Sequence, residues 1–135
     1  MDDNKATVYL GGISSENDWR EFVIPQLQIN HVDPFQLNAV EGIQEKLFKL
    51  KDDCNFIFYL FRPGMNEFLC VPELIDDSNK FSEKTVYVAN FENKDKIFTN
   101  HQKKSLEAIG KMVERNGGRW FKTLEEAIVF LNSYI

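Results

Sequence analysis

The sequence has no apolar run that approaches the roughly 20 residues needed to span a bilayer. Its first residues, MDDNK, are largely acidic and polar, and they lack the basic region and the apolar core of a signal peptide. These two absences predict a cytoplasmic protein with no membrane partner.

Cysteine is scarce, and neither residue stands in a ligand or redox motif. Cys54 and Cys70 are isolated, with no C-x-x-C and no His cluster beside them. A disulfide framework and a metal site are therefore not expected, and both thiols should be reduced and packed. The chain also lacks a G-x-G-x-x-G fingerprint, so we expect no dinucleotide and no other cofactor.

Positive charge is in deficit, with a net charge of −5. This balance argues against general nucleic-acid binding, which depends on Lys and Arg to neutralise phosphates. Residues 94–122 are the exception, because they carry eight Lys/Arg against three acidic residues. A solvated helix face and a phosphate-facing patch are the two interpretations of this basic region.

The apolar content is high for 135 residues, at 43%, and it includes twelve Phe. Short apolar strands alternate with amphipathic segments, and there is no internal repeat and no linker that would divide the chain. We therefore expect one domain over residues 1–135. The pattern predicts a three-layer α/β/α fold with a five-stranded parallel sheet, flavodoxin-like or Rossmann-like.

Five segments are predicted as strands: ATVYLGG, HVDPFQL, NFIFYLF, KTVYVAN and RWFK. In the first helix the apolar spacing predicts that Trp19, Phe22, Val23 and Leu27 point inward, and Pro25 should kink or shorten that helix. The helix after NFIFYLF is expected to end near Asp76.

Gly11 and Gly12 end the first strand, at the edge of the sheet where ligands bind in open α/β folds. Glycines there let a sugar or phosphate approach the main chain and permit positive φ, although a tight turn explains them equally well. Arg20 and Arg62 each follow a strand at this edge and are candidate phosphate ligands. Ion pairing on the helix surface is the alternative for Arg20.

Several segments together resemble one family. VYLGGISSENDWREFVIPQL, the Asp33-Pro34 pair, CNFIFYLFRPGMNEFLCVPELIDDSNKFSEKTVYV and the closing NGGRWFKTLEEAIVFLN are similar to the nucleoside 2-deoxyribosyltransferase-like family, especially its smaller branch. The resemblance implies chemistry at the N-glycosidic bond of a nucleoside or nucleotide. It also implies a homo-oligomer in which neighbouring subunits complete the pocket.

The resemblance assigns roles to individual residues. Glu73 aligns with the nucleophilic carboxylate of the family, which attacks the anomeric carbon as the base leaves. Glu67, Asp52 and Asp53 are candidates for the second carboxylate that such chemistry requires. Tyr9 and Ile13 would shape the sugar and base pocket, although Tyr9 fits the core of the first strand equally well.

The sequence departs from the family pattern close to Glu73. Glu67 replaces a usual Gly, Cys70 replaces a small or hydroxylic residue, and Pro72 directly precedes the nucleophile. A transferase or hydrolase is therefore one hypothesis for the function. The alternatives are a non-catalytic module that binds a nucleotide or a protein, and a structural or host-interaction protein of a phage or mobile element.

Overall fold

The computed structural model describes residues 1–12, 18–34, 42–65, 68–89 and 96–135. Its strands form one parallel sheet in the order β2-β1-β3-β4-β5, which is the flavodoxin-like order. The strands are β1 Thr7–Leu10, β2 Asn30–Val32, β3 Phe56–Phe61, β4 Thr85–Ala89 and β5 Arg119–Phe121. The helices are α1 Asp18–Val23, α2 Ile43–Asp53, α3 Cys70–Lys80, α4 Asn100–Arg115 and α5 Leu124–Asn132. The predicted fold class is confirmed, and each of the five predicted segments contains a strand, although in HVDPFQL the strand covers only His31 and Val32 and residues 35–37 lie outside the described ranges.

The centre of the sheet is β3, which pairs with β1 on one side and with β4 on the other. All six of its residues are buried. A strand covered by helices on both faces has no solvent side, which explains why FIFYLF is apolar without alternation.

Helices cover both faces of the sheet. Side chains of α1 and α5 pack with one set of strand residues, and side chains of α2, α3 and α4 pack with the other set. Because successive residues of a strand point to opposite faces, each strand contributes to both cores. No helix in the described ranges is long and apolar enough to cross a bilayer.

The first helix is short, as Pro25 predicts, but one of its apolar side chains does not point toward the sheet. Pro25 lies in a 3-10 turn, Ile24–Gln26, so the α-helix ends at Val23 as predicted. Trp19 and Val23 are buried, but Phe22 is 64% exposed and the inward prediction for it is wrong. At 100° per residue these three positions span about 100° of the helix, so a contact face centred between Trp19 and Val23 leaves Phe22 at its edge. Leu27, beyond the helix, is partly buried against the same core.

The helix after β3 continues to Lys80, four residues beyond the predicted end. Its last turns are polar, but their side chains find partners within the fold. The Ser78 hydroxyl donates to the carbonyl of Ile75 at 2.7 Å and accepts from Asn116 Nδ2 at 2.9 Å. These tertiary contacts stabilise a helical conformation that Asp, Ser and Asn do not favour by themselves.

Candidate functional site

The turn after β1 meets the start of α3 at the carboxyl edge of the sheet. A Cβ placed on Gly12 would lie 3.5 Å from Cys70 Cβ, the first residue of α3. In this strand order the chain leaves β1 and β3 in opposite directions, which opens a crevice between them. The Gly-Gly turn therefore lies at the place where flavodoxin-like folds bind ligands.

Both glycines have a structural reason, and the two reasons differ. Gly12 has φ +80°, a conformation that side-chain-bearing residues rarely adopt. Gly11 does not, but a Cβ there would lie 2.8 Å from the Tyr59 ring. The turn needs glycine at both positions for its own geometry, whether or not a ligand approaches it.

Arg20 holds this turn from inside the protein. Its Nη2 group donates to the carbonyl oxygens of Leu10 at 2.9 Å, Gly11 at 3.0 Å and Gly12 at 2.8 Å. Its Nε lies 2.9 Å from Asp33 Oδ1, at the end of β2. The side chain is fully buried. Surface ion pairing is therefore the wrong alternative for Arg20, because the guanidinium fixes the backbone beside the crevice.

A second arginine lies in the same region. Arg62 follows β3 and is 9% exposed, and its charge lowers the pKa of Arg20 in addition to the larger lowering by burial. Among the described residues, Arg20 Nη1 is buried and finds no hydrogen-bond acceptor. Asp33 balances the charge of Arg20, so Arg62 is the better candidate of the two for a phosphate ligand.

Glu73 lies in the first turn of α3, close to the Gly-Gly turn, and it is half-buried. Burial raises the pKa of its carboxyl group, Lys51 lowers it, and Asp77 raises it. The negative charge of Glu73 also contributes to the raised pKa values of Tyr9 and Tyr59. Glu73 is thus a partly desolvated carboxylate among charged and phenolic groups, a setting that is common at functional sites.

One turn further along α3, Asp77 is the centre of a buried polar cluster. Tyr59 Oη donates to Asp77 Oδ2 at 2.5 Å. Lys51 Nζ, from the last turn of α2, lies 3.0 Å from Oδ2 and 3.2 Å from Oδ1. The Asp77 side chain is 4% exposed, and the positive charge of Lys51 balances its negative charge. We call Lys51, Tyr59 and Asp77 the buried triad.

Tyr9 connects the buried triad to the Gly-Gly turn. It is the residue before the last in β1, it is 2% exposed, and Lys51 Nζ lies 5.5 Å from its ring centroid. Burial raises the pKa of its phenol above the ordinary range, and the charges of Glu73 and Asp77 raise it further. Tyr9 is therefore both a core residue and a neighbour of Glu73, so the two interpretations of it are compatible.

The other carboxylates suggested as partners of Glu73 lie at the opposite edge of the sheet. Asp52 and Asp53 end α2, immediately before β3, so they are at the amino edge. Asp53 is exposed, 3.7 Å from Lys49, and it lines a groove of about 570 Å³ with Asn55 and Arg119 at the starts of strands. The prediction that Asp52 or Asp53 acts with Glu73 is corrected, because helix α2 runs antiparallel to the strands and ends away from the crevice.

Two predicted site residues, Ile13 and Glu67, lie outside the described residues. The structure brings Tyr9, Gly11, Gly12, Arg20 and Glu73 to one region of the carboxyl edge. The sequence-based reasoning missed Lys51, Tyr59 and Asp77. The spacing of Glu73 and Asp77 was the available signal, since residues four apart share a helix face, but it requires a helix that extends past Asp76.

An apolar groove of about 200 Å³ separates α3 from α4. Phe61, Arg62 and Phe98 line it from the sheet side, and Phe68 at its rim is 89% exposed. Val71, two residues from Glu73 in α3, faces this groove instead of the buried triad. Several cations of the basic 94–122 region, including Lys104 and Lys111, are exposed on α4, as a solvated helix face requires.

Comparison with known proteins supports the fold. No protein-family profile matches the chain, and no curated protein matches it. The crystal structure of a conserved protein from Enterococcus faecalis V583 is similar, with a TM-score of 0.65 and 12% sequence identity over 97% of this chain and 99% of that chain. At this identity the likeness shows the three-layer α/β fold with its parallel sheet and no more.

Proposed function

We propose that this protein transfers or hydrolyses the N-glycosidic bond of a nucleoside or nucleotide, with Glu73 as the nucleophile. The observation that carries the proposal is the position of Glu73. It is a half-buried carboxylate in the first turn of α3, the helix whose first residue packs near the Gly-Gly turn, and it lies one helical turn from Asp77 of the buried triad.

The chemistry follows from this position. A Glu73 carboxylate oxygen bonds to the anomeric carbon as the bond from that carbon to the base nitrogen breaks, and the base leaves with the electron pair and takes up a proton. Water or a second base then cleaves the sugar ester and regenerates the carboxylate. Lys51 favours the ionised form of Glu73 that the first step needs, while partial burial limits the solvation that would weaken the nucleophile.

The Gly-Gly turn and the arginines are suited to the rest of the substrate. The Gly-Gly turn ends β1 at the edge of the sheet where a sugar would lie, and it would offer that sugar its backbone. Arg62, which follows β3 at the carboxyl edge, is the candidate that would supply positive charge for a 5′-phosphate, whereas Arg20 is committed to Asp33 and to the Gly-Gly turn. A homo-oligomer that completes this pocket is part of the proposal, and light scattering at several concentrations tests it.

A second candidate is a nucleotide-binding module without turnover. It is favoured by the contacts of Asp77, which is fully engaged with Lys51 and Tyr59 and so is not available to protonate a leaving base. In this case the crevice would bind a nucleotide and the chemistry would be absent.

The test is release of free base from a panel of ribo- and deoxyribonucleosides and their 5′-monophosphates, followed by chromatography. Glu73→Gln removes the negative charge but keeps the shape, so base release should fall by roughly a hundredfold or more. Glu107→Gln makes the same chemical change at an exposed position of α4 and should release base at the wild-type rate.

Undiminished base release by Glu73→Gln would overturn the nucleophile assignment. Thermal stabilisation of the wild-type protein by a nucleotide, with no base released from any substrate, would instead establish the binding module.

A further inference from the structure

Lys51 makes buried contacts near Glu73 that the proposed reaction does not explain. Its ammonium group reaches both carboxylate oxygens of Asp77, at 3.0 and 3.2 Å, and only 13% of the side chain is exposed. Asp77 is held in turn by Tyr59 Oη. The ammonium group is therefore held by Asp77, a buried partner that Tyr59 fixes from another element.

Helix geometry places this fixed charge next to Glu73. Residues four apart on an α-helix lie about 5–6 Å apart at Cβ, so Glu73 and Asp77 present their carboxylates to the same side of α3. Lys51, which contacts Asp77, also lies over the ring of Tyr9, with Nζ 5.5 Å from the ring centroid.

We propose that Lys51 is a positioning residue for Glu73: held by Asp77, which Tyr59 fixes in turn, its ammonium group places a positive charge beside the side of α3 that carries the Glu73 carboxylate. This inference rests on the proposed function for its catalytic meaning. Its electrostatic content stands by itself, because the charge acts on Glu73 whether or not a substrate reacts there.

The groups that face Glu73 come from four elements. They are Lys51 on α2, Asp77 on α3, Tyr9 on β1 and Tyr59 on β3. Both phenols are buried with raised pKa values and stay neutral across the neutral range, so the charges that matter are those of Lys51 and Asp77. These two charges act on Glu73 with opposite signs.

This opposition separates an electrostatic role from a structural one. Lys51→Met removes the attractive charge and leaves Asp77, so the titration midpoint of Glu73 should move to higher pH. Asp77→Asn removes the repulsive charge and leaves Lys51, so the midpoint should move to lower pH. A merely structural ion pair would make the two variants behave alike, since either change breaks the same contact.

The measurement is carbon-detected NMR titration of the Glu73 side-chain carboxyl, assigned by its loss in Glu73→Gln. Lys51→Arg keeps a positive charge and should restore the midpoint toward the wild-type value. Lys49→Met removes a lysine two residues away on α2, which is 79% exposed, and should leave the midpoint unchanged.

A parallel readout applies where base is released. The acid limb of the pH profile should move up in Lys51→Met, with turnover near pH 5 lowered by about threefold to tenfold relative to its plateau, and it should move down in Asp77→Asn. If the wild-type protein releases no base, the proposed reaction fails while the NMR titration still decides the role of Lys51.

Midpoints that are unchanged, or that move in the same direction in both variants, overturn the positioning role. If Lys51→Met does not fold, Lys51→Gln decides together with Asp77→Asn, because glutamine removes the charge and keeps an amide that can donate to Asp77; a Glu73 midpoint that is not raised in Lys51→Gln overturns the proposal. A Glu73 midpoint that is unchanged or higher in Asp77→Asn overturns the proposal.

Discussion

The two faces of the sheet are built from the same strands but from different chemistry. On the face covered by α1 and α5, the strand residues are all hydrocarbon or phenyl: Val8, Leu10, Phe56, Phe58, Leu60, Val86 and Val88. On the face covered by α2, α3 and α4, three neighbouring strands each contribute a tyrosine: Tyr9, Tyr59 and Tyr87. We call these the hydrocarbon face and the tyrosine face. The candidate nucleophile and the buried triad belong to the tyrosine face.

The difference shows how one small domain combines stability with a polar site. Burial of hydrocarbon is favourable without any directional requirement. Each buried hydroxyl on the tyrosine face needs a partner instead, and the hydroxyls of Tyr59 and Tyr87 find Asp77 and the Leu106 carbonyl at 2.5 and 3.1 Å. The hydrocarbon face should therefore supply more of the folding free energy, and the tyrosine face more of the positional specificity.

The largest effect should come from a cavity in the hydrocarbon face. Phe58 is fully buried at the centre of β3 and packs against Trp19, with ring centroids 6.0 Å apart. Phe58→Ala should lower the free energy of unfolding by about 3–5 kcal/mol, measured by urea denaturation at pH 7. The Glu73 midpoint should not change, and a shift would show that the two faces are not independent.

An intermediate effect is expected at the next residue of the same strand. Tyr59→Phe keeps the ring and removes the hydroxyl, so Asp77 loses a donor in a buried position. The free energy of unfolding should fall by about 1–3 kcal/mol, because a buried acceptor left without its partner costs more than an average hydrogen bond contributes. A double-mutant cycle with Asp77→Asn measures the coupling, and additive losses would contradict this account.

The smallest effect should be at Tyr87, whose hydroxyl donates to a backbone carbonyl. Tyr87→Phe should lower the free energy of unfolding by about 0.5–1.5 kcal/mol at pH 7. Burial raises the pKa of Tyr87 above its unfolded value of 10, so its contribution is complete below pH 10 and is lost as the pH rises through and above that value. The difference between Tyr87→Phe and wild type should thus shrink near pH 10.5, and a constant difference in denaturant midpoints would contradict it.

The sequence predicts the strands well because their signal is local. FIFYLF and TVYVA are short, β-branched or aromatic and bounded by turns, which is sufficient to predict buried parallel strands. The pattern also places Gly11 and Gly12 at the carboxyl edge. It does not tell which strand residues share a face with the catalytic candidate, since in a doubly buried strand both faces are apolar.

The site was less predictable because its contacts are not local. Lys51 and Asp77 are 26 residues apart in the chain, and nothing in either segment indicates that they pair. Arg20 is a similar case, because a fully buried arginine is rare and its position suggests a surface helix residue. Both side chains are buried only because the fold brings oxygen acceptors to them, and that information resides in the tertiary structure.

The anchoring of the Gly-Gly turn limits how this sequence can diverge. The positive φ of Gly12 and the closeness of the Tyr59 ring to Gly11 both favour glycine at these two positions. Arg20 is required because it bonds three successive carbonyl groups and pairs with Asp33. Lysine cannot replace Arg20, because a single ammonium group cannot serve the carboxylate and the carbonyls from separate nitrogens. These positions must therefore persist together or change together over evolutionary time. Distant homologues that share little else should be recognisable by a Gly-Gly pair followed by arginine and an acidic residue at these spacings.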